Sequence, residues 1–106
     1  LERALGSLVP EIAANSDRYN AQILVVDNDA AQSAKQTADN FQQKHSLHLT
    51  YVCEPTQGIP YARNKALDIV GAEADYLIFI DDDEWVSPSW LRALVGTAEH
   101  HSADAV

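Results

Sequence analysis

The sequence lacks several features that define large classes of protein. It has no Met, one Cys (Cys53) and no apolar run of about 18 residues, the length of a membrane-spanning helix. No basic-then-apolar signal segment opens the chain. A lone cysteine excludes an internal disulfide, and it is more often a small packing residue than a catalytic thiol. The sequence therefore predicts no membrane span in this chain, and its single cysteine is consistent with a reducing compartment.

Basic side chains are also scarce. Seven Lys and Arg residues stand against sixteen Asp and Glu residues, which gives a formal net charge of −9. This balance argues against a nucleic-acid partner, because binding to a nucleic-acid backbone needs basic patches. A length of 106 residues with 46% hydrophobic residues predicts one small packed domain. Because the chain has no Met and opens inside a helical pattern, we expect it to be an excerpt of a longer protein.

Helical and strand patterns alternate along the chain. Apolar spacing predicts helices over residues 1–15, 31–44 and 60–70, the last ended by Gly71, and a final helix opened by Ser87-Pro-Ser89 with Ser87 as its N-cap. Strands are predicted at 23–26, 47–52 and 76–80. This order is typical of an α/β domain in which helices cover a mainly parallel sheet.

The segment Tyr76-Leu-Ile-Phe-Ile80 ends at four consecutive acids, Asp81-Asp-Asp-Glu84. Neighbouring like charges disfavour joint ionisation unless solvent or a cation compensates them. Clusters of oxygen ligands suit hard cations such as Mg²⁺ and Mn²⁺. A solvated acidic turn is the alternative interpretation.

Three segments are predicted to share one edge of the sheet, because parallel strands end on the same side. These are Asp27, the loop Glu54–Gly58 and the acids Asp81–Glu84. The loop leads into a helix start that carries Arg63 and Lys65, and a helix N-terminus attracts anions. Acids that hold a cation opposite a basic helix start suit a nucleoside diphosphate bridged by a metal.

Three ordered motifs resemble those of family-2 glycosyltransferases. They are Val25-Val-Asp-Asn-Asp29, Gly58-Ile-Pro-Tyr-Ala-Arg-Asn-Lys-Ala-Leu67 and Phe79-Ile-Asp-Asp-Asp-Glu-Trp85. The resemblance implies a three-layer αβα, Rossmann-like GT-A fold with a mainly parallel sheet, incomplete at both ends, over residues 1–106. The chain departs from the family's usual Asp-Gly-Ser continuation between Asp29 and Ser33.

The resemblance also implies roles for individual residues. Asp27 resembles the acid that contacts the nucleotide base, and Arg63 the arginine that lines the nucleotide pocket. Asp83 resembles the direct ligand of Mn²⁺ or Mg²⁺, with Asp81 near the ribose and the metal. Because Asp82 is acidic as well, it is a further nucleotide-binding candidate and the register of the D-x-D motif stays open by one residue.

The implied reaction is metal-assisted, inverting transfer of a sugar from a nucleotide-sugar donor to an acceptor hydroxyl. A UDP-sugar is the expected donor, and a saccharide or lipid-linked molecule the expected acceptor. The catalytic base is expected outside this chain. The resemblance further implies a role in cell-envelope polysaccharide synthesis, in the cytoplasm or at the inner face of the membrane.

Simpler roles for the same side chains stay open. Asp27 could cap the following helix or turn, and Arg63 could pair with Glu54 on the surface, where ion pairs stabilise weakly. Asn64 could order its loop, and Trp85 could face a sugar.

Two other functions are alternatives. Ile23-Leu-Val-Val-Asp-Asn-Asp29 also resembles the start of a phospho-acceptor receiver domain, with Asp81 as the phosphorylated residue. The other is a non-catalytic sugar- or nucleotide-binding module.

The resemblance also implies that, in the GT-A sheet, a further strand lies between the strands that correspond to 23–26 and 76–80. Because the chain lacks that strand, we expect the isolated piece to fold poorly or aggregate.

Overall fold

Four helices and two strands make up the computed structural model, which describes residues 1–106. In chain order they are α1 (Glu2–Ala14), β1 (Ile23–Asp27), α2 (Lys35–His45), β2 (Leu49–Cys53), α3 (Ile59–Val70) and α4 (Trp90–His101). The chain divides into a sheet unit (Leu1–Glu2 and Gln22–Phe79) and a helical unit (Arg3–Ala21 and Ile80–Val106). The predicted α/β class is confirmed. None of the helices has the length and apolar character needed to cross a membrane.

The sheet consists of β1 and β2, which pair in parallel with Ile23 opposite Leu49 and Asp27 opposite Cys53. Burial alternates along β1, so that Ile23, Val25 and Asp27 face the interior. The parallel pairing predicted from the alternation of strands and helices is therefore confirmed. It also brings the ends of both strands, and the loops that follow them, to one edge of the sheet.

Two helices cover this sheet: α2 contacts β2, and α3 contacts β1. The core of the sheet unit is formed by Ile23, Val25, Ala38, Phe41, Leu49 and Ala66. Apolar spacing predicted both helices because their inward-facing residues recur once per turn.

The two helices differ in how closely their bounds match the prediction. Helix α3 begins with Pro60 in its first turn and ends at Gly71, whose φ of 56° suits glycine. Helix α2 begins at Lys35 rather than near Ala31. Residues before it form turns, in which the Asp29 side chain accepts the Ala31 N–H and the Asp29 carbonyl accepts the Gln32 N–H.

The predicted third strand, Tyr76–Ile80, is wrong: these residues form no strand. A strand is stabilised by hydrogen bonds to a neighbouring strand, and residues 76–80 make no backbone–backbone hydrogen bond. Tyr76 and Phe79 are correspondingly exposed. Apolar character alone therefore did not produce the extended pairing that the pattern indicated.

In the helical unit, α1 buries Ala4, Leu5 and Glu11, and α4 buries Leu91, Val95 and Ala98. The prediction that Ser87 caps α4 is wrong, because the helix begins at Trp90. The carboxylate of Glu11 instead accepts the N–H groups of Ser89 (2.8 Å) and Leu91 (2.9 Å). A carboxylate at this position satisfies the free donors of the helix start and complements its dipole.

Candidate functional site

Asp27 is the last residue of β1, and its buried carboxylate accepts three hydrogen bonds from its own unit. Its Oδ1 accepts the Asp29 N–H at 3.1 Å. Its Oδ2 accepts the Ala34 N–H at 3.0 Å and the Tyr51 hydroxyl at 2.6 Å. The capping role considered for Asp27 is thus present, since the bond to Ala34 precedes the first turn of α2. A carboxylate offers about four lone-pair sites, so one position on Oδ1 is left for a further donor.

Tyr51 was missed from the sequence, although the register explains its contact. It lies opposite Val25 in the parallel pairing, so its side chain shares a face with Asp27, two residues along β1. Desolvation of the Tyr51 hydroxyl, together with its hydrogen bond to the Asp27 carboxylate, raises the pKa of Tyr51 well above its usual value. The hydroxyl therefore remains a donor to Asp27 at neutral pH.

Asn28 was also missed, and its side chain makes three hydrogen bonds to the loop between β2 and α3. The amide nitrogen donates to the carbonyls of Glu54 (2.9 Å) and Thr56 (2.7 Å), and the amide oxygen accepts the Gly58 N–H (2.8 Å). An asparagine directly after a strand is a turn signal, but its partners lie 26 to 30 residues away in sequence. Sequence spacing alone cannot reveal such long-range bonds.

The start of α3 offers fewer free backbone donors than a helix N-terminus usually does. Asn28 takes the Gly58 N–H, and Pro60 has none. The N–H groups of Tyr61 and Ala62 both donate to the Gly58 carbonyl. The Ile59 N–H is left, so an anion here would be bound mainly by side chains.

Arg63 and Lys65 are the basic side chains near this helix start, one turn into α3. Arg63 is exposed, and its guanidinium carbon lies 4.9 Å from the centre of the Phe79 ring. It makes no ion pair with Glu54, whose carboxylate accepts the Thr56 N–H instead. The guanidinium donors of Arg63 therefore remain available to a ligand. Asn64 is exposed and makes no side-chain hydrogen bond, so the loop-ordering role considered for it belongs to Asn28.

In the helical unit, the acids Asp81–Glu84 form an exposed turn. The Glu84 N–H donates to the Asp81 carbonyl at 3.0 Å, and the Asp81 N–H donates to the Glu84 carboxylate at 3.2 Å. The carboxylates of Asp81, Asp82 and Asp83 accept no hydrogen bond from the chain. They are solvated and open to an external cation or donor.

No group of three His, Cys, Asp or Glu side chains is arranged to hold a metal ion. The chemistry of the donors nevertheless suits Mn²⁺ or Mg²⁺, because such ions take one or two carboxylates and complete their shell with water and substrate phosphate. Asp81 and Asp83 supply carboxylates of that kind at one turn.

Trp85 follows the acidic turn and has 55% of its surface exposed. The Arg3 guanidinium carbon lies 3.3 Å from the centre of its ring, a cation–π contact. That contact covers one face of the indole, so the sugar-facing role considered for Trp85 would use the other face.

The predicted site residues thus fall into two groups. Asp27 and Arg63 belong to the sheet unit, together with Asn28 and Tyr51, whereas Asp81, Asp82 and Asp83 belong to the helical unit. In the sheet unit, Asp27, Asn28 and Tyr51 are held by defined hydrogen bonds, and Arg63 lies near the Phe79 ring with its donors free. In the helical unit, the carboxylates of the three aspartates accept no hydrogen bond from the chain.

Comparisons with known proteins agree with the motifs. The family described as "Glycosyl transferase family 2" matches residues 1–106. The chain is 38% identical over 90 residues to the "Succinoglycan biosynthesis protein ExoM" of Rhizobium meliloti (strain 1021), which covers 85% of this chain and 28% of that protein. It is 25% identical over 84 residues to the "Putative glycosyltransferase EpsH" of Bacillus subtilis (strain 168), covering 79% of this chain and 24% of that protein.

The chain spans about a quarter of the length of these curated relatives, at 28% and 24%. No solved structure shows significant similarity to it. The family match favours the transferase interpretation over a receiver domain. Because the match extends over every residue of the chain, the protein belongs to glycosyl transferase family 2.

Proposed function

We propose that the full-length protein transfers a sugar from a nucleotide-sugar donor to an acceptor hydroxyl, in the biosynthesis of a polysaccharide. The observation that carries this proposal is the family match over residues 1–106, which includes all three motifs. The relative named for succinoglycan biosynthesis supports a polysaccharide setting. A UDP-sugar is the proposed donor, and a saccharide or lipid-linked molecule the proposed acceptor.

In this proposal the sheet unit binds the nucleotide. Asp27 would accept a donor N–H of the base at the free lone pair of Oδ1, while the bonds to Ala34 and Tyr51 hold its other oxygen. Arg63 would bind the negatively charged part of the donor, since its guanidinium has five donors and no ion-pair partner in the chain.

The helical unit would bind the metal ion. Asp83, with Asp81, is the proposed ligand of Mn²⁺ or Mg²⁺, and Asp82 or Asp81 the proposed contact to the ribose. When bound, the cation supplies Lewis-acid stabilisation of the charge that develops on the leaving diphosphate. The exposure of Asp81, Asp82 and Asp83 and their lack of hydrogen bonds from the chain support this assignment, because no internal interaction has to be broken first.

Transfer with inversion requires a base that takes the proton of the acceptor hydroxyl. No residue of this chain is assigned to that step, and we propose that the base lies elsewhere in the full-length protein. The part described here would therefore supply the donor half of the site.

Isothermal titration calorimetry on the full-length protein tests the proposal. We expect UDP to bind more tightly with Mn²⁺ than without it, and more tightly than GDP or dTDP. A protein that binds none of these nucleotides under either condition would overturn the proposed function. Transfer or hydrolysis of the donor sugar separates an enzyme from a non-catalytic binding module, and phosphorylation of Asp81 by acetyl phosphate would support the receiver alternative.

A further inference from the structure

The loop that leads into α3 has few restraints of its own. The Glu54 N–H donates to the Asp27 carbonyl at 2.8 Å, which continues the pairing of the two strands by one residue. Beyond that point, the Thr56 N–H makes a long 3.3 Å bond to the Glu54 carboxylate within the loop. Every other hydrogen bond that ties residues 55–58 to the sheet comes from the Asn28 side chain.

The three bonds of Asn28 use both of its N–H donors and its carbonyl oxygen. Its neighbours also fix the orientation of the amide, because two of the partners are carbonyl acceptors and the third is an N–H donor. A reversed amide would place donor against donor and acceptor against acceptor. Asparagine therefore fits this position better than aspartate, which has the same shape but no donor.

The three hydrogen bonds of Asn28, called the Asn28 clamp below, include one to the residue at which α3 begins. Gly58 is the N-cap of that helix, with a φ of 141°. Its N–H donates to Asn28, while its carbonyl accepts the N–H groups of Tyr61 and Ala62 in the first turn. The position of Gly58 thus sets where the first turn of α3 begins, and Arg63 follows that turn directly.

We propose that Asn28 is a positioning residue for donor binding: by clamping Gly58 to the end of β1, it holds the start of α3 and so presents Arg63 to the nucleotide donor. This inference rests on the proposed function, and in particular on Arg63 as a donor ligand. Asn28 itself need not touch the donor. It keeps Arg63 in place before the ligand binds. Binding then does not carry the entropy cost of ordering the start of α3.

The first test compares Asn28→Ala with Asn40→Ala in the full-length protein. Asn40 is a matched control, since it is an exposed asparagine of α2 that bonds only to the neighbouring Gln36 side chain. We expect Asn28→Ala to raise the Kd of UDP and the KM of the donor about tenfold with a smaller change in kcat, because preorganisation is lost and the chemical step is not. Asn40→Ala should leave these values unchanged. An unchanged Kd in a folded Asn28→Ala protein would overturn the inference.

A double-mutant cycle with Arg63→Ala tests the route of the effect. If Asn28 acts through Arg63, the double variant should bind UDP no more weakly than Arg63→Ala alone. Additive losses would overturn positioning through Arg63. If Arg63→Ala leaves UDP affinity unchanged, both this inference and the role of Arg63 fail, whereas UDP binding with Mn²⁺ by the wild-type protein would still uphold the proposed function.

A third variant, Asn28→Asp, keeps the test sharp if the alanine variant folds poorly. Its charged carboxylate would face the carbonyls of Glu54 and Thr56, and protonation would restore one donor. We therefore expect the ratio of its Kd to the wild-type Kd to decrease as the pH is lowered from about 8 to about 5. The acids Asp27, Asp29 and Glu54 lie nearby in both proteins, so the ratio of the two Kd values removes most of any effect they have. A ratio independent of pH would overturn the donor role of the amide.

Discussion

Two apolar segments of this chain are each followed by aspartate. They differ in whether a neighbouring strand is present and in the hydrogen bonds that the acid accepts. Residues 23–26 pair in parallel with β2, and Asp27 at their end is 7% exposed and accepts three hydrogen bonds. Residues 76–80 have no strand partner, and Asp81–Asp83 after them are exposed and accept no hydrogen bond from the chain. The same sequence pattern therefore leads to a buried, hydrogen-bonded acid at the end of β1 and to solvated acids after residue 80.

Pairing with a neighbouring strand determines whether an acid at the end of an apolar segment becomes part of the fold. Where β2 lies beside β1, Tyr51 and the turn before α2 supply donors, and the carboxylate becomes part of the fold. Where no strand lies beside the segment, the acids keep their full capacity for an external cation. Asp27 should thus matter for stability as well as binding, and Asp81–Asp83 for binding alone.

Replacing the buried acid should have the largest effect on stability. Asp27→Ala leaves the Tyr51 hydroxyl and two N–H groups without their acceptor, so we expect the free energy of unfolding to fall by about 3 kcal/mol. Asp82→Ala, in the exposed turn, should change it by less than about 0.5 kcal/mol. Urea denaturation of the full-length protein measures both. Similar midpoints for the two variants would remove the distinction between the two acidic regions.

A smaller effect is expected at the glycine that Asn28 clamps. Gly58 has a φ of 141°, and an added Cβ would lie 2.9 Å from Cδ2 of Tyr61, so Gly58→Ala should destabilise the protein by about 2 kcal/mol. Gly96 is the matched control in α4, because its added Cβ would meet no atom within 4 Å. Gly96→Ala should instead stabilise by about 0.5–1 kcal/mol, since alanine favours a helix interior. The same sign for both substitutions in urea denaturation would contradict the strain at Gly58.

The smallest of these effects depends on pH. The raised pKa of Tyr51 means that the folded protein keeps this proton after the unfolded chain begins to lose it, near pH 10. Its contribution is therefore complete below about pH 10 and is lost as the pH rises further. Tyr51→Phe should reduce the fall of the urea midpoint with pH in that alkaline range. An identical slope in wild type and variant would show that Tyr51 does not drive it.

Below neutrality, Asp29 acts in the opposite direction. The N–H of Ala31 and the hydroxyl of Ser33 hold the pKa of Asp29 below its usual range. A lowered pKa in the folded state contributes stability above the unfolded value of about 3.9, and that contribution is lost as the pH falls. The turn before α2 should therefore loosen as the pH falls, because the Asp29 carboxylate that accepts the Ala31 N–H becomes protonated.

Much of the fold could be predicted because its determinants are local or periodic. Pro60 and Gly71 marked the two ends of α3, and the apolar run 23–26 marked β1, which pairs in parallel as expected. The solvated acidic turn considered as the alternative for Asp81–Glu84 follows from four adjacent charges, and these acids are exposed. Each of these features depends on residues within a few positions of one another.

The remaining features depend on partners distant in the sequence. Glu11 caps α4 from 78 residues away, so the local N-cap signal at Ser87 was misleading. Asn28 and Tyr51 meet their partners only once β1 and β2 have paired. The strand predicted at 76–80 failed for the same reason, because its apolar residues do not reveal whether a neighbouring strand is present.

The most direct test of the central claim is the effect of Mn²⁺ on UDP affinity in the full-length protein, measured by calorimetry for wild type, Asp83→Asn and the exposed control Asp75→Asn. We expect Mn²⁺ to strengthen UDP binding to the wild type and to Asp75→Asn, and this gain to disappear in Asp83→Asn because the proposed metal ligand is removed. An Asp83→Asn protein whose UDP affinity still rises with Mn²⁺ as much as that of the wild type would contradict the metal-binding role of Asp83.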